Sequence, residues 1–350
     1  MTAGSVARRW AIVLPASFLL GVALSWGNVP AAWILAGILA SGASALRSGA
    51  ELPLNRIVER GGRGTIGILA GVPLAGVPLA ELAGYAPAGI VVALLIVAFG
   101  LVGGMLLHRT EPAISRETGV LSMLAGGSSV MPALARDLGA DYRYVALSQY
   151  LRLLAVSMTL PLVTALFATP PAGDAGAASP AVNWWMFPVV AAVAIGGFHV
   201  GKLLRLPSPG VFGPLLLTVI AGLILPEAWT MQPPEFFRIY AFLAIGWMCG
   251  GGLSLPALRL FARQLPATMA FIVALSAACA LLAWPLTAWL DITYFEAYLA
   301  TSPGAIETAL ALSAEGGAGP VVVAIQLIRL LGVLLIAGWL PQILRLFGRH

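Results

Sequence analysis

Charge is scarce in this chain: 9% of its 350 residues are Asp, Glu, Lys or Arg, while 60% are hydrophobic. Soluble domains carry roughly 25% charged residues, so a water-solvated globule is a poor fit. The net charge of +5 is dispersed between apolar segments, with no basic face interleaved with aromatics, and no nucleic-acid partner is expected. Cysteine is nearly absent. Cys249 and Cys279 each sit alone in an apolar segment without CxxC spacing, which argues against a disulfide framework or zinc site and for small packing residues. The three histidines, His108, His199 and His350, are scattered and lack an acidic cluster, so no copper or iron site is expected. There is no GxSxG, P-loop or HExxH, hence no support for a hydrolase or dehydrogenase; neither enzyme activity nor a cofactor is expected.

What the chain has instead is apolar runs long enough to span a bilayer, with mean hydropathy +0.95, 40 glycines and 25 prolines. The stretch from Trp10 to Trp26 follows Arg8 and Arg9 as a signal peptide would. Its run is long, however, and ends in Gly27-Asn28-Val29-Pro30 without a small-x-small cleavage site, so it reads as a retained first span. Further spans are predicted near 30–46, 64–80, 88–107, 143–168, 184–201, 207–225, 240–255, 266–290 and 321–346. Two apolar pieces are interrupted: 118–136, by Gly126-Gly127-Ser128-Ser129 and Pro132, and 298–314. Trp184 and Trp185 read as interfacial anchors.

Charge placement orients these elements. With a cytoplasmic N-terminus and both interrupted pieces dipping in and returning on one side, the cytoplasmic loops collect nearly all the basic residues. These include Arg56, Arg60 and Arg63 in the loop 47–63, whereas the far side holds only Arg238 with seven acids from Glu81 to Glu315. That asymmetry obeys the positive-inside rule.

The halves echo each other at an offset of 177 residues: Gln149 with Gln326, Arg152 with Arg329, Gly127 with Gly304, Gly139 with Gly316. Gly67-x-x-x-Gly71 answers Gly246-x-x-x-Gly250 as a pair of helix-packing motifs, between halves or between subunits. Five spans per half, an odd number, mean that the second copy enters from the opposite side, giving an inverted-topology repeat. The expected fold is thus an all-α polytopic membrane protein of about ten transmembrane helices plus two re-entrant, broken helices. Its domains are a first membrane repeat (1–168), a Pro/Ala/Gly-rich linker (169–183) and a second repeat (184–350).

These segments carry a resemblance. LAGGSSVMPALARDLGAD at 124–141 with QYLR at 149–152, TSPGAIETALALSAEGG at 301–317 with QLIR at 326–329, and PAAW and PSPGVFGP opening each half are similar to the AbrB-duplication family of bacterial inner-membrane proteins. The resemblance covers essentially the whole chain and implies an integral inner-membrane protein. The labels attached to that family are a regulator of gene expression and an ammonia monooxygenase. Two departures stand out: the histidine often found near the second arginine is Gln326 here, and Asp141 faces Ala318 at the repeat offset. The first weakens any proton coupling through that histidine.

Arg152 and Arg329 each lie inside an apolar helix, at a cost of roughly 2.5–3.5 kcal/mol on insertion scales. A guanidinium binds a carboxylate through two parallel hydrogen bonds, and Gln149 and Gln326 share its helix face one turn earlier. Helices restarting at Gly127-Ser128-Ser129 and at Ser302-Pro303-Gly304 would aim free N–H groups at an anion, with Pro303 in the first turn. Glu307 is the one acid expected at depth, either to couple protons or to neutralise Arg329. The expected function is secondary transport of a small carboxylate-like anion from a midplane site; the rival is a membrane-embedded sensor affecting expression indirectly. Lipid is the expected surrounding, a homo-oligomer is left open, and the substrate, coupling ion and direction are not given by the sequence.

Overall fold

A computed structural model of the chain describes residues 3–29, 31–75, 77–125, 130–166, 186–206, 208–224, 233–253, 255–304 and 306–339. The expected positions Gly127, Ser128 and Ser129, the linker 169–183, Trp184 and Trp185 lie outside these residues. Among the described residues the fold is all helical. In chain order the helices are α1 (Ala3–Trp26), α2 (Ala32–Ser48), α3 (Arg56–Gly71), α4 (Leu79–Gly84), α5 (Ala86–Thr110), α6 (Arg116–Met123), α7 (Val130–Asp137), α8 (Tyr142–Leu166) and α9 (Met186–Leu203). They continue with α10 (Pro209–Ile224), α11 (Glu235–Gly251), α12 (Leu255–Leu260), α13 (Leu265–Leu290), α14 (Tyr294–Thr301), α15 (Ile306–Glu315) and α16 (Pro320–Gly338).

Among the described residues, three stretches are long and apolar enough to cross a hydrocarbon core unaided: Val6–Trp26, Ala86–Thr110 and Leu265–Leu290. Shorter apolar helices accompany them within α2, α9, α10 and α16. Their outer faces bear Leu19, Leu94, Leu106, Leu281 and Trp284, all well exposed. Water penalises an apolar surface of this extent, and lipid does not.

One expected boundary is corrected. The third span was placed at 64–80 after a loop 47–63, but α3 begins at Arg56, where Asn55 caps it by accepting the Ile57 N–H at 2.8 Å. It ends at Gly71, running into a single 3₁₀ turn, Val72–Leu74. The glycine- and arginine-rich RGGRG stretch looks like loop by composition. It is helical because its glycines lie against other helices, a tertiary gain that overrides weak propensity.

The helices sort into two bundles by packing. In one, α1 lies on α2 and α2 on α11, while α9 lies on α10 and α10 on α3. In the other, α5 packs on α6, α13 and α16, with α8 beside α6 and α7 and α14 beside α16. Elements of both sequence halves are therefore interleaved in each bundle. The glycine motifs are the seams of the first bundle. A Cβ on Gly71 would stand 2.9 Å from the Leu215 carbonyl, and one on Gly67 would strike the Val211 carbonyl. Across the related seam, Gly37 would meet Gly246 Cα at 2.9 Å, and Gly250 would strike the Ile38 carbonyl. Small residues let backbones approach this closely, and both motifs join the halves of one chain.

Each interrupted piece is a helical hairpin that returns to where it started. The Thr118 hydroxyl, at the start of α6, accepts the Asp141 N–H beyond α7 at 3.0 Å. The Glu296 carboxylate, at the start of α14, accepts the Gly319 N–H beyond α15 at 2.8 Å. Both hairpins then leave through a left-handed glycine, Gly139 (φ 69°) and Gly317 (φ 66°), one residue past the Gly316 that the 177 offset would pair. In each, the next N–H bonds five residues back, Ala140 to Ala135 at 2.8 Å and Ala318 to Ser313 at 2.9 Å, the helix end that only a positive φ allows cheaply.

Candidate functional site

A helix that stops inside a protein leaves carbonyls without partners, and these must be satisfied locally. In both hairpins the donors come from the helix that follows. Gln149, on α8 and 1% exposed, gives its amide N–H to the Leu121 carbonyl at 2.9 Å and the Leu124 carbonyl at 3.1 Å. Arg152, 5% exposed, donates to the same Leu124 carbonyl at 3.0 Å and to the Gln149 Oε1. On α16, Gln326, fully buried, donates to the Leu299 carbonyl at 2.6 Å. Arg329, 3% exposed, donates to the Ser302 carbonyl, with the Thr301 carbonyl at 3.5 Å. The guanidiniums thus stand at the carbonyl ends of α6 and α14, where the helix dipole favours a cation. Sequence reasoning placed these four residues on a polar patch but did not foresee that hairpin carbonyls would occupy most of their donors.

Two features remain unbalanced. Neither Arg152 nor Arg329 has a carboxylate partner among the described residues. In the second hairpin, the Gln326 Oε1 and the Arg329 Nε are buried with no hydrogen-bond partner among the described residues. Ser302 is fully buried and turns its hydroxyl to the Leu299 carbonyl at 3.0 Å. Gly304 lies against α8, where a Cβ would meet the Val156 side chain at 2.7 Å. Pro303 belongs to the break itself, since α15 starts at Ile306, so it is not the first-turn proline expected of it.

Glu307 is close to the break as expected, but its ionic partner is not Arg329. It faces the Arg63 Nε at 3.6 Å, and Arg63 also pairs with Glu59 at 2.9 Å. Arg63 was assigned to a loop; on α3 it reaches across the line between bundles to α15. Beside this pair the Ser157 hydroxyl meets the Thr308 hydroxyl at 2.9 Å, with the Cys249 thiol 3.8 Å from Ser157. That seam of small polar groups from α8, α11 and α15 was not predicted. Its signal was available only in the helical register of Arg63, which a loop assignment hid.

Comparison with known proteins places the whole chain. The profile of the family described as "Transition state regulatory protein AbrB" matches residues 4–348. A protein of Escherichia coli (strain K12) named "Putative regulator AbrB" is 33% identical over 338 residues, covering 93% of this chain and 94% of that protein. "Uncharacterized protein YhjN" of Bacillus subtilis (strain 168) is 24% identical over 276 residues, covering 72% of this chain and 68% of that protein.

Proposed function

From the premise that the chain belongs to the AbrB family, we propose that it is a carrier, not an enzyme, moving a small carboxylate-like anion through a membrane. The observation that carries this is the pair of buried guanidiniums without a counter-carboxylate among the described residues. An uncompensated buried cation is costly, and an anion admitted between the hairpins offsets that cost. In this reading about ten spans and two re-entrant hairpins form an inverted repeat in an inner membrane, both termini cytoplasmic; the re-entry is supported by each hairpin closing on its own start. The site is Arg152, Gln149, Arg329, Gln326, Ser302 and Gly304, with Gly127, Ser128 and Ser129 as the first hairpin's counterparts.

Access alternates as the hairpin bundle shifts against the glycine-seamed bundle. Glu307 serves coupling: a proton on its carboxylate dissolves the pair with Arg63 and loosens the seam between bundles. The printed name of the E. coli relative favours a second reading, a regulator; moving a signal metabolite would link the two. The test is uptake of radiolabelled carboxylates by proteoliposomes. Carboxylate uptake that is abolished by Arg329→Gln supports the carrier; ligand binding without movement across the bilayer would instead identify a sensor.

A further inference from the structure

The second hairpin states what its ligand must look like, granted the anion reading above. Gln326 is held with its N–H₂ toward the Leu299 carbonyl at 2.6 Å. The flipped amide would set oxygen against oxygen, so the free atom is Oε1, which only accepts. One turn along the same face, the Arg329 Nε, a donor, is buried and without a partner among the described residues, while Nη1 is engaged by the Ser302 carbonyl. Both side chains are at least nine-tenths buried. In the first hairpin the corresponding oxygen, the Gln149 Oε1, accepts from Arg152.

We propose that the second hairpin binds a small α-hydroxy monocarboxylate. Its carboxylate accepts from the Arg329 Nε–H and its neighbouring hydroxyl donates to the Gln326 Oε1. A plain carboxylate satisfies the charge but leaves Oε1 bare, and a buried acceptor without a donor is penalised. A neutral diol supplies the donor but no charge to set against the Arg329 guanidinium. An α-amino acid supplies both groups yet adds an ammonium beside Arg329, which like-charge repulsion disfavours. The ligand is small because the break is tightly enclosed: Ser302 is fully buried and Gly304 abuts Val156. A polar site rejects analogues that leave its buried groups unpaired far better than an apolar site rejects a missing methylene.

The experiment is calorimetric titration of the full-length protein in nanodiscs with lactate, propionate and 2-methoxypropionate. Lactate should bind at least about tenfold tighter than either competitor, a difference of about 1.4 kcal/mol. Gln326→Met should reduce the lactate-to-propionate ratio to about one, while Arg238→Gln, at a partly exposed position paired with Glu235, preserves it. The methoxy acid lacks the O–H donor and tests the same contact without any substitution, so the question stands even if Gln326→Met unfolds. Equal affinity for all three acids overturns this proposal and leaves the anion carrier intact. Failure of all three to bind overturns both.

Discussion

In the first hairpin, Arg152 and Gln149 are joined to each other: the amide serves two carbonyls at the end of α6, one guanidinium nitrogen serves one of them, and the amide oxygen takes a second guanidinium nitrogen. In the second, the same two residue types at the same spacing reach their hairpin with an acceptor and a donor left over. Among the described residues the duplicated device thus differs at the glutamine oxygen, taken by Arg152 in one copy and bare in the other. The difference shows that capping a broken helix can absorb much of a buried arginine's donor capacity. What distinguishes a site is the polar atom that remains after the backbone has been satisfied.

The sharpest way to break this contrast is to remove each arginine in turn. Arg329→Gln should cut anion uptake by on the order of a hundredfold or more, the scale of a lost buried charge-assisted contact of about 3 kcal/mol. Arg152→Gln should act mainly on stability, lowering the melting temperature while uptake per folded molecule falls far less. Comparable uptake in the two variants would erase the distinction between hairpins. Next come the seams: Gly67→Ala and Gly246→Ala should each cost about 1–3 kcal/mol, because the new methyl meets a backbone carbonyl and not a side chain that can turn away. Equal destabilisation is the expected outcome in detergent melts, and a harmless Gly246→Ala would show that the two seams are not equivalent.

A smaller effect is expected at Glu307. Glu307→Gln removes the 3.6 Å pair with Arg63, whose side chain is 31% exposed, so screening limits the loss to about 1 kcal/mol or less. Its signature should be kinetic, a weakened pH dependence of uptake, and an unchanged pH profile counts against the coupling role. The smallest contrast lies at the hairpin entrances. Thr293 and Glu296 form a reciprocal capping box on α14, whereas on α6 the Ser115 hydroxyl accepts the Thr118 N–H and meets the Thr118 hydroxyl, a neutral pair in place of a carboxylate. Thr293→Ala should therefore destabilise by about 1 kcal/mol, somewhat more than Ser115→Ala, as read by thermal melts of both variants.

Much of this was legible in the sequence because it depends on local rules. The repeated Gln–Arg spacing, the small residues that break the second apolar piece, and the glycine motifs each follow from what a helix or hydrocarbon tolerates. What escaped was set by tertiary packing. Arg63 reads as loop because RGGRG has poor helix propensity; its place opposite Glu307 exists only because α10 and α11 take the glycine face of α3. The pairing of the Gln149 oxygen with Arg152 was equally hidden. Nothing in the order of residues says whether a glutamine will turn its oxygen toward its own helix neighbour or leave it bare.

The glycine seams have a mechanical consequence. Where backbone rests on backbone, no rotamer can swing aside and no side chain can act as a bearing, so α2 with α11 and α3 with α10 are locked in register. Any large rearrangement must then run along the boundary lined by Ser157, Thr308, Cys249 and the Arg63–Glu307 pair. There the contacts are short hydroxyls, a thiol and one loose ion pair, which can be exchanged for others at little cost. The described residues thus set a stiff glycine-seamed frame beside a softer polar boundary.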